Sequence, residues 1–543
     1  MNARPWFKAY GSIAATIDPD RYPSVNAMLE EAMTRYADHV AFHSLGGQLT
    51  YRQVDELSSA FCAYLQQRLG VHKGDRVAVM LPNFVAFPIA FLGIVRAGAI
   101  QVNVNPLYTP RELAHQLRDA GCKTIIIFNG ATPTLAEVIG DTPVEQVITV
   151  TPGDGLDLDA PTPAVDTRLS SSIAFADALL EGQTLERQPV HVTGDDGLFL
   201  QYTGGTTGLS KGATLSHRNL VANTEQFKAL LPGIQLDGED SVVTAIPLYH
   251  IFALMVNFIS YFSVGAKNWL VANPRDLDGL IATLKEARPT AFTGVNTLFN
   301  GLTQHPGLKE VDWSRGRLCA GGGSAVLEVT SRRWQEITGL FIREGYGLSE
   351  TSPIVSLNLV GVNEYSGTTG VPLPSTDVKL LNDEGNEVEP GQPGEVCVKG
   401  PQVMSGYWGY PKGDLASFTA DGYFKTGDVG QFDDRGFLKI VDRKKDMIIV
   451  SGFNVYPNDV EAVATGVPGV LECACVGVPD DKTGEAVKLF VVRAQGVNVT
   501  EQAVIDGCRQ SLTGYKVPKH VQFIASLPKS TVGKILRREL RTV

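Results

Sequence analysis

Between residues 76 and 130 the chain repeats one rhythm. The apolar run RVAVMLPN leads into a helix-length apolar segment ending near Arg96 and Gly98. Then come the strand-like AIQVNVNP, the amphipathic TPRELAHQLRDAG and the strand-like KTIIIFNG. Strands separated by helices do not pair as hairpins. Each leaves the sheet through a helix and returns parallel to its predecessor, buried on both faces. This β–α–β–α–β alternation predicts an α/β chain of helix-covered, largely parallel sheets. The segment TPRELAHQLRDAG also marks its own limits, with Thr109 as N-cap, Pro110 near its start and Gly121 as C-cap.

A chain of 543 residues exceeds what one simple core organises. From about residue 365 Gly and Pro become dense and short strands alternate with turns, as in GVPLPSTDVKLLNDEGNEVEPGQPGEVCVKGP. That composition predicts a mostly antiparallel, β-rich subdomain over about 365–442. GDVGQFDDRGFLKIVDR reads as a hairpin turning at Asp433–Gly436. Helix and strand signals resume afterwards. A boundary at 442/443 therefore gives a large N-terminal domain, 1–442, and a small α+β C-terminal domain, 443–543. The stretch 151–190, rich in Pro, Asp, Thr and Ser, reads as a surface excursion.

The formal net charge of −11 excludes non-specific nucleic-acid binding, which needs a basic footprint. Seven cysteines lie scattered, with no CxxC and no zinc spacing, as expected of reduced, buried thiols in a cytoplasmic protein. The N-terminus lacks an apolar signal-peptide core. Two apolar stretches approach the length of a membrane span. The first, from Val77, is broken by Pro82, Asn83 and Pro88. The second, LYHIFALMVNFISYFSVGA from Leu248, carries His250 and Asn257, which are costly in lipid. It predicts a buried helix lining an apolar pocket.

Four stretches carry chemistry. LQYTGGTTGLSKGATLSHRN (200–219) departs from the Walker A pattern, because Ser210 precedes Lys211 and Gly212 follows it. Its glycines still let backbone N–H groups approach an anion, while Thr203, Thr206, Thr207, Ser210 and Lys211 add donors. REGYGLSETSP (343–353) offers Tyr346 for stacking on a planar base, Glu350 as a hard oxygen ligand for Mg²⁺ and Thr351 as a phosphate donor. In the stretch 423–457, Asp428 can hold a ribose diol, and Arg443, Lys444 and Lys445 stand ready for phosphate. PKSTVGKILRREL (528–540) places Lys534 after a flexible lead, where it can reach another domain's site.

In order along nearly the whole chain, YTGGTTGLSKG, YGLSE, TGD, DRKKD and the terminal GK resemble the adenylate-forming superfamily of acyl-CoA synthetases, adenylation domains and luciferases. IPLYHIFAL and DGYFKTGDVGQFDDRGFLKIVDRKKDMIIVSGFNVYP make the chain most similar to bacterial long-chain fatty-acid–CoA ligases. The resemblance implies ATP, coenzyme A and a fatty acid as substrates, with Mg²⁺. It also implies a mobile C-terminal domain that rotates between two half-reactions. It places Thr203 through Gly212, with Gly204, Gly205, Thr206, Thr207, Gly208 and Lys211 among them, on the β- and γ-phosphates and Tyr202 in the same ATP site, with Thr203 and Glu350 at the metal and Thr351 at the α-phosphate. Gly321 through Ser324, including Gly322, Gly323 and Ser324, would frame adenine with Tyr346, and Gly347 would lie in the same ATP site. Asp428 would hold ribose with Arg443 beside it, and Lys445 would sit at the hinge. Lys534, His250 and Glu350 are the implied catalytic set. His250, Phe252, Leu254, Gly294 and Val295 would face the acid, with Met255, Phe258 and the segment Thr293–Phe299 adding apolar surface. Gly452 would face the coenzyme A tunnel. Two departures stand out: Leu254 where some relatives carry a gating Trp, and Ile449 where many carry Lys. A medium-chain or aryl-acid ligase, an acyl-AMP ligase acting on a carrier protein and a lipid-binding protein are the alternatives. A peripheral position at the inner face of the cell membrane and a homodimer are compatible with the sequence.

Overall fold

The computed structural model describes residues 4–156, 158, 160–203, 210–530 and 533–541. The repeated rhythm folds as read. Strands Arg76–Met80, Ile100–Asn103 and Thr124–Phe128 lie side by side and parallel. Helices Ala86–Arg96 and Pro110–Ala120 connect them. The second helix has the capping the sequence advertised. The Thr109 hydroxyl accepts from the Glu112 N–H, the Glu112 carboxylate accepts from the Thr109 N–H, and Gly121 closes the helix at φ 64°. A reciprocal cap of this kind contributes about 1 kcal/mol.

These strands form the middle of a seven-stranded sheet, in spatial order 173–174, 146–150, 124–128, 76–80, 100–103, 197–203 and 211–216. All pair in parallel except the last, which returns antiparallel along Gly197–Thr203. The stretch 151–190 is thus more than an excursion. It re-enters the sheet at Ile173–Ala174 and buries Phe175 against Phe61.

A nine-stranded sheet has a parallel centre and antiparallel edges, in the order 371–372, 354–357, 342–347, 318–321, 291–294, 241–244, 267–270, 40–44 and 47–50. Under one face Phe292 stacks on Trp334, and Phe299 and Trp313 meet these rings edge-on. The Gly- and Pro-dense region forms a four-stranded antiparallel sheet, 377–381, 394–399, 424–432 and 438–443, and its last hairpin turns at Asp433–Gly436. A five-stranded sheet follows, carrying helices Pro457–Thr465 and Glu501–Ser511 and cores of its own that begin at Ile448.

Among the described residues no helix is long and apolar enough to cross a membrane. The apolar stretch after Leu248 is a π-helix over Ala253–Ser260, buried throughout. Its polar residue is satisfied. The Asn257 amide donates to Thr244 Oγ1 (3.1 Å) and accepts from Thr293 Oγ1 (2.9 Å), while the Asn257 carbonyl accepts from Asn268 (2.8 Å). A side chain taking a helix carbonyl out of its ladder is one way such widened turns are held. All seven cysteines are buried and unpaired.

Candidate active site

The parallel strands deliver the site residues to their carboxyl ends, where an open α/β sheet binds ligands. Gly197–Thr203 ends at Tyr202 and Thr203, and the return strand brings Lys211 opposite Thr203 and Gly212 opposite Tyr202. A Cβ on Gly212 would lie 3.0 Å from the Tyr202 ring, so this register needs the glycine. The helix Pro110–Ala120 clamps both ends of the loop. Tyr202 Oη donates to Asp119 Oδ2 at 2.5 Å, and His115 Nε2 lies 2.8 Å from the Ser210 carbonyl. Gly204, Gly205, Thr206, Thr207 and Gly208 fall outside the described residues.

Strand Ile342–Gly347 runs into the short turn Ser349–Thr351, which carries Glu350. Gly347 is fixed by contact, because a Cβ there would stand 2.0 Å from the Pro353 carbonyl. Glu350 is buried, with Oε1 3.5 Å from Thr203 Oγ1 and 2.7 Å from Tyr407 Oη. Burial raises its pKa, and the Tyr407 hydroxyl opposes that. Thr351 departs from expectation. It is fully buried, its hydroxyl donating to the Pro353 carbonyl (2.5 Å) and accepting from the Leu348 N–H (3.0 Å), and its own N–H is bonded to Leu348. Its donors are spent on shaping the turn. Ser349, half-buried on the other side of Glu350, makes no side-chain hydrogen bond among the described residues.

Tyr346 Oη donates to Asp428 Oδ2 at 2.7 Å, and the register of strands 424–432 and 438–443 sets Arg443 opposite Asp428, 3.6 Å from its carboxylate. The Gly322–Ser324 turn follows strand Leu318–Gly321. A Cβ at Gly322 would stand 3.4 Å from both the Gly345 carbonyl and the Phe252 ring, an ordinary contact distance, so this turn borders the nucleotide and acid sides at once. Gly323 takes φ 76°.

On the acid side, His250 Nδ1 accepts from the Phe252 N–H (3.3 Å), which leaves the proton on Nε2. Burial, helped by Lys534, holds the imidazole down to about 4. Phe252 remains half-buried beside Gly322. Leu254, Met255 and Phe258 are fully buried, and Phe258 packs on Phe42, Phe91 and Phe262. Their surface is taken by protein neighbours rather than left open for an acyl chain, and Phe299 is likewise core, against Trp334. Gly294 faces the Phe299 ring, where a Cβ would lie at 2.8 Å.

Lys534 joins the two sides. The preceding Gly533, at φ 77°, sits so close to Thr297 that a Cβ would lie 2.4 Å from its Oγ1, and Val295 is also within reach. Burial and then Arg443 lower the Lys534 pKa to about 7, while Asp428 opposes. Lys445 is lowered to about 8 by burial and Arg443. Arg537, three residues beyond Lys534 at the start of the helix Arg537–Leu540, is the anchor sequence reading missed. It bonds Glu461 (2.7 Å) and Asn458 (2.6 Å) and lies 3.4 Å from Asp442, which is buried beside Arg443 and raised by that burial to about 6. Gly452 stands at the exposed tip of the hairpin 448–455, where Ser451 (φ 51°) and Gly452 (φ 83°) make the tight turn.

The donors around Glu350 suit Mg²⁺. Among the described residues no group of three or more His, Cys, Asp or Glu could hold a metal by itself. One buried carboxylate and a hydroxyl, all oxygen, match an ion that keeps waters and takes the rest of its shell from substrate phosphates.

Residues 29–408 match the family model of the AMP-binding enzyme, and residues 459–534 that of the AMP-binding enzyme C-terminal domain. A long-chain-fatty-acid–CoA ligase of Escherichia coli O6:H1 is 49% identical over 548 residues, covering 99% of this chain and 97% of that one. One from Bacillus subtilis is 35% identical over 556 residues, covering 99% and 98%. The crystal structure of the anthranilate CoA ligase AuaEII in complex with anthranoyl-AMP superposes with a TM-score of 0.87 at 25% identity, over 97% of this chain and 98% of that one. With both family models matched in order, and the clustered residues lying within or beside them, the chain belongs to the AMP-binding enzyme family.

Proposed function

We propose that this protein is a long-chain fatty-acid–CoA ligase. A fatty-acid carboxylate attacks the α-phosphate of ATP, giving acyl-AMP and pyrophosphate. The thiol of coenzyme A then displaces AMP. The observation that carries the reading is the place of Lys534, between Asp428 and Arg443 on one side and His250, Val295 and Thr297 on the other. An anion attacking another anion is opposed electrostatically. A cation fixed between the two sides stabilises the charge that develops.

Asp428 accepts from the ribose hydroxyls, displacing or sharing the Tyr346 hydroxyl, and Arg443 holds Asp428 in place. The Tyr346 ring and the Gly322–Ser324 turn cover adenine. Lys211 and the loop it closes secure the departing pyrophosphate, and Ser349 donates to the α-phosphate. Glu350 and Thr203 would hold Mg²⁺, which supplies charge neutralisation to the polyphosphate. His250, neutral with its proton on Nε2, donates to the carboxylate without adding charge.

Residues 443–543 act as the mobile domain. Lys534 inserted between the two sides is the geometry adenylation needs, and its burial beside Asp428 and Arg443 supports that reading. Rotation about Lys445 withdraws Lys534 and brings the Gly452 tip to the tunnel for coenzyme A. The substrate partitions into bilayers, and a peripheral position at the inner face of the cell membrane fits it.

The test is a coenzyme A-dependent assay of pyrophosphate release over saturated acids of increasing length, with benzoate and coumarate as controls. The likeness to long-chain-fatty-acid–CoA ligases supports long chains as the preferred substrates. A preference for the aromatic acids would overturn the substrate class, and no release with any acid would overturn the enzyme.

A further inference from the structure

Beside the phosphate loop runs a segment that none of the roles above includes. Gly406–Trp408 lies along the return strand. The Thr214 N–H donates to the Gly406 carbonyl (3.1 Å), the Trp408 N–H donates to the Gly212 carbonyl (2.8 Å), and Ala213 bridges Tyr407 in antiparallel fashion. This pairing adds a short rung to the sheet edge and fixes the Tyr407 backbone. Its ring then reaches two groups at once. Its hydroxyl donates to Glu350 Oε1 at 2.7 Å, on the same oxygen that lies 3.5 Å from Thr203 Oγ1. Its face lies 5.3 Å from Lys211 Nζ, and the Tyr410 ring, packed edge-on against it, lies 4.6 Å from the same nitrogen. The Glu350 backbone is tied to the same segment, its carbonyl accepting from the Met404 N–H at 2.8 Å.

One aromatic pair therefore touches both the carboxylate assigned to the metal and the ammonium assigned to the polyphosphate. We propose that Tyr407 is a positioning residue for the polyphosphate site: its hydroxyl orients Glu350, and its ring, together with Tyr410, stores the Lys211 ammonium until polyphosphate draws it away. This inference rests on the ATP chemistry proposed above. The two functions separate by atom. The hydroxyl serves Glu350, so its loss weakens whatever depends on that carboxylate. The rings serve Lys211, which costs nothing when the pocket is empty but must be given up when a phosphate arrives.

The experiment measures ATP binding to the full chain by calorimetry, once with chelator and once with Mg²⁺, so that no turnover is needed. Tyr407→Phe keeps the ring and removes the hydroxyl. Its metal-free ATP affinity stays at the unsubstituted value, while the gain in affinity on adding Mg²⁺ shrinks by about tenfold, the scale of a lost hydrogen bond to a charged group. Tyr410→Leu removes one storage face. Its metal-free ATP affinity rises by about two- to fivefold, the scale of one exposed cation–π contact, and its Mg²⁺ gain is unchanged. In a Glu350→Gln background Tyr407→Phe has no further effect on the Mg²⁺ gain. Equal losses in both arms for Tyr407→Phe, with the Mg²⁺ gain intact, mark a merely structural tyrosine and overturn the proposal. So does full additivity of Tyr407→Phe and Glu350→Gln, or an unchanged or weaker metal-free affinity in Tyr410→Leu. ATP binding by the unsubstituted protein with no Mg²⁺ gain removes the metal role of Glu350 and this proposal, and leaves the ligase reading standing. An absence of ATP binding in both arms removes both.

Discussion

Replacing Lys534 by arginine tests how the site handles charge. Burial and Arg443 hold the Lys534 ammonium to about 7. A base lowered in this way loses its proton as pH rises through that value. The charged fraction is about nine-tenths at pH 6 and about one-tenth at pH 8. If adenylation needs the ammonium, kcat/KM for ATP falls about tenfold between those pH values, because kcat/KM reports the free enzyme. Bound polyphosphate and carboxylate bring negative charge that restores the proton, so kcat at saturation stays level over the same range. His250, held to about 4, is neutral throughout and adds no limb. Lys445, lowered to about 8, is the group that could imitate the effect. Lys534→Arg distinguishes them, since a guanidinium keeps its charge throughout. The variant is slower but its kcat/KM is flat from pH 6 to 8. The assay is carboxylate-dependent pyrophosphate release at excess Mg²⁺, which keeps the nucleotide's own charge constant. A limb that survives in Lys534→Arg, or a flat profile in the unsubstituted protein, refutes the reasoning.

Three further outcomes follow from the same geometry. Lys534→Ala lowers the adenylation rate by about 10²–10³ and spares thioester formation from supplied acyl-AMP; equal losses in the two half-reactions count against its role. Tyr346→Phe removes the hydroxyl from Asp428 and shifts KM for ATP by up to about tenfold in either direction, with KM for the fatty acid unchanged in steady-state assays. Arg537→Ala leaves Asp442 and Glu461 unpaired, costing about 3–5 kcal/mol in denaturant unfolding, and slows adenylation more than the thioester step because the lysine loop loses its tether.

The parallel sheets were legible because their signals are local. The strands and helices between 76 and 128, the caps at Thr109 and Gly121 and the turn at Asp433–Gly436 are each written within a few consecutive residues. The signals that made the loop at 203–212 and Glu350 candidates for chemistry are local in the same way. What escaped the sequence depends on pairings that only the topology creates. Tyr346 meets Asp428 across 82 residues and Glu350 meets Tyr407 across 57. Arg537 finds Asp442 across nearly a hundred residues. The π-helix depends on Asn268, on another strand, to hold its carbonyl. Ser349 and Thr351 flank Glu350 almost symmetrically in the sequence, and only the fold of the turn, which brings Leu348 and Pro353 to the Thr351 hydroxyl, tells the two apart.

The seven buried cysteines acquire a meaning from the chemistry around them. An acyl-adenylate is a mixed anhydride and acylates any thiolate that reaches it. Burial pushes the thiol of Cys508 up to about 11 and those of Cys62, Cys122 and Cys397 up to about 12, with Cys319, Cys473 and Cys475 higher still. Each is both out of reach and protonated at neutral pH. A catalyst that generates a thiol-reactive intermediate thereby keeps its own sulfur from intercepting it, and coenzyme A meets no rival from the enzyme.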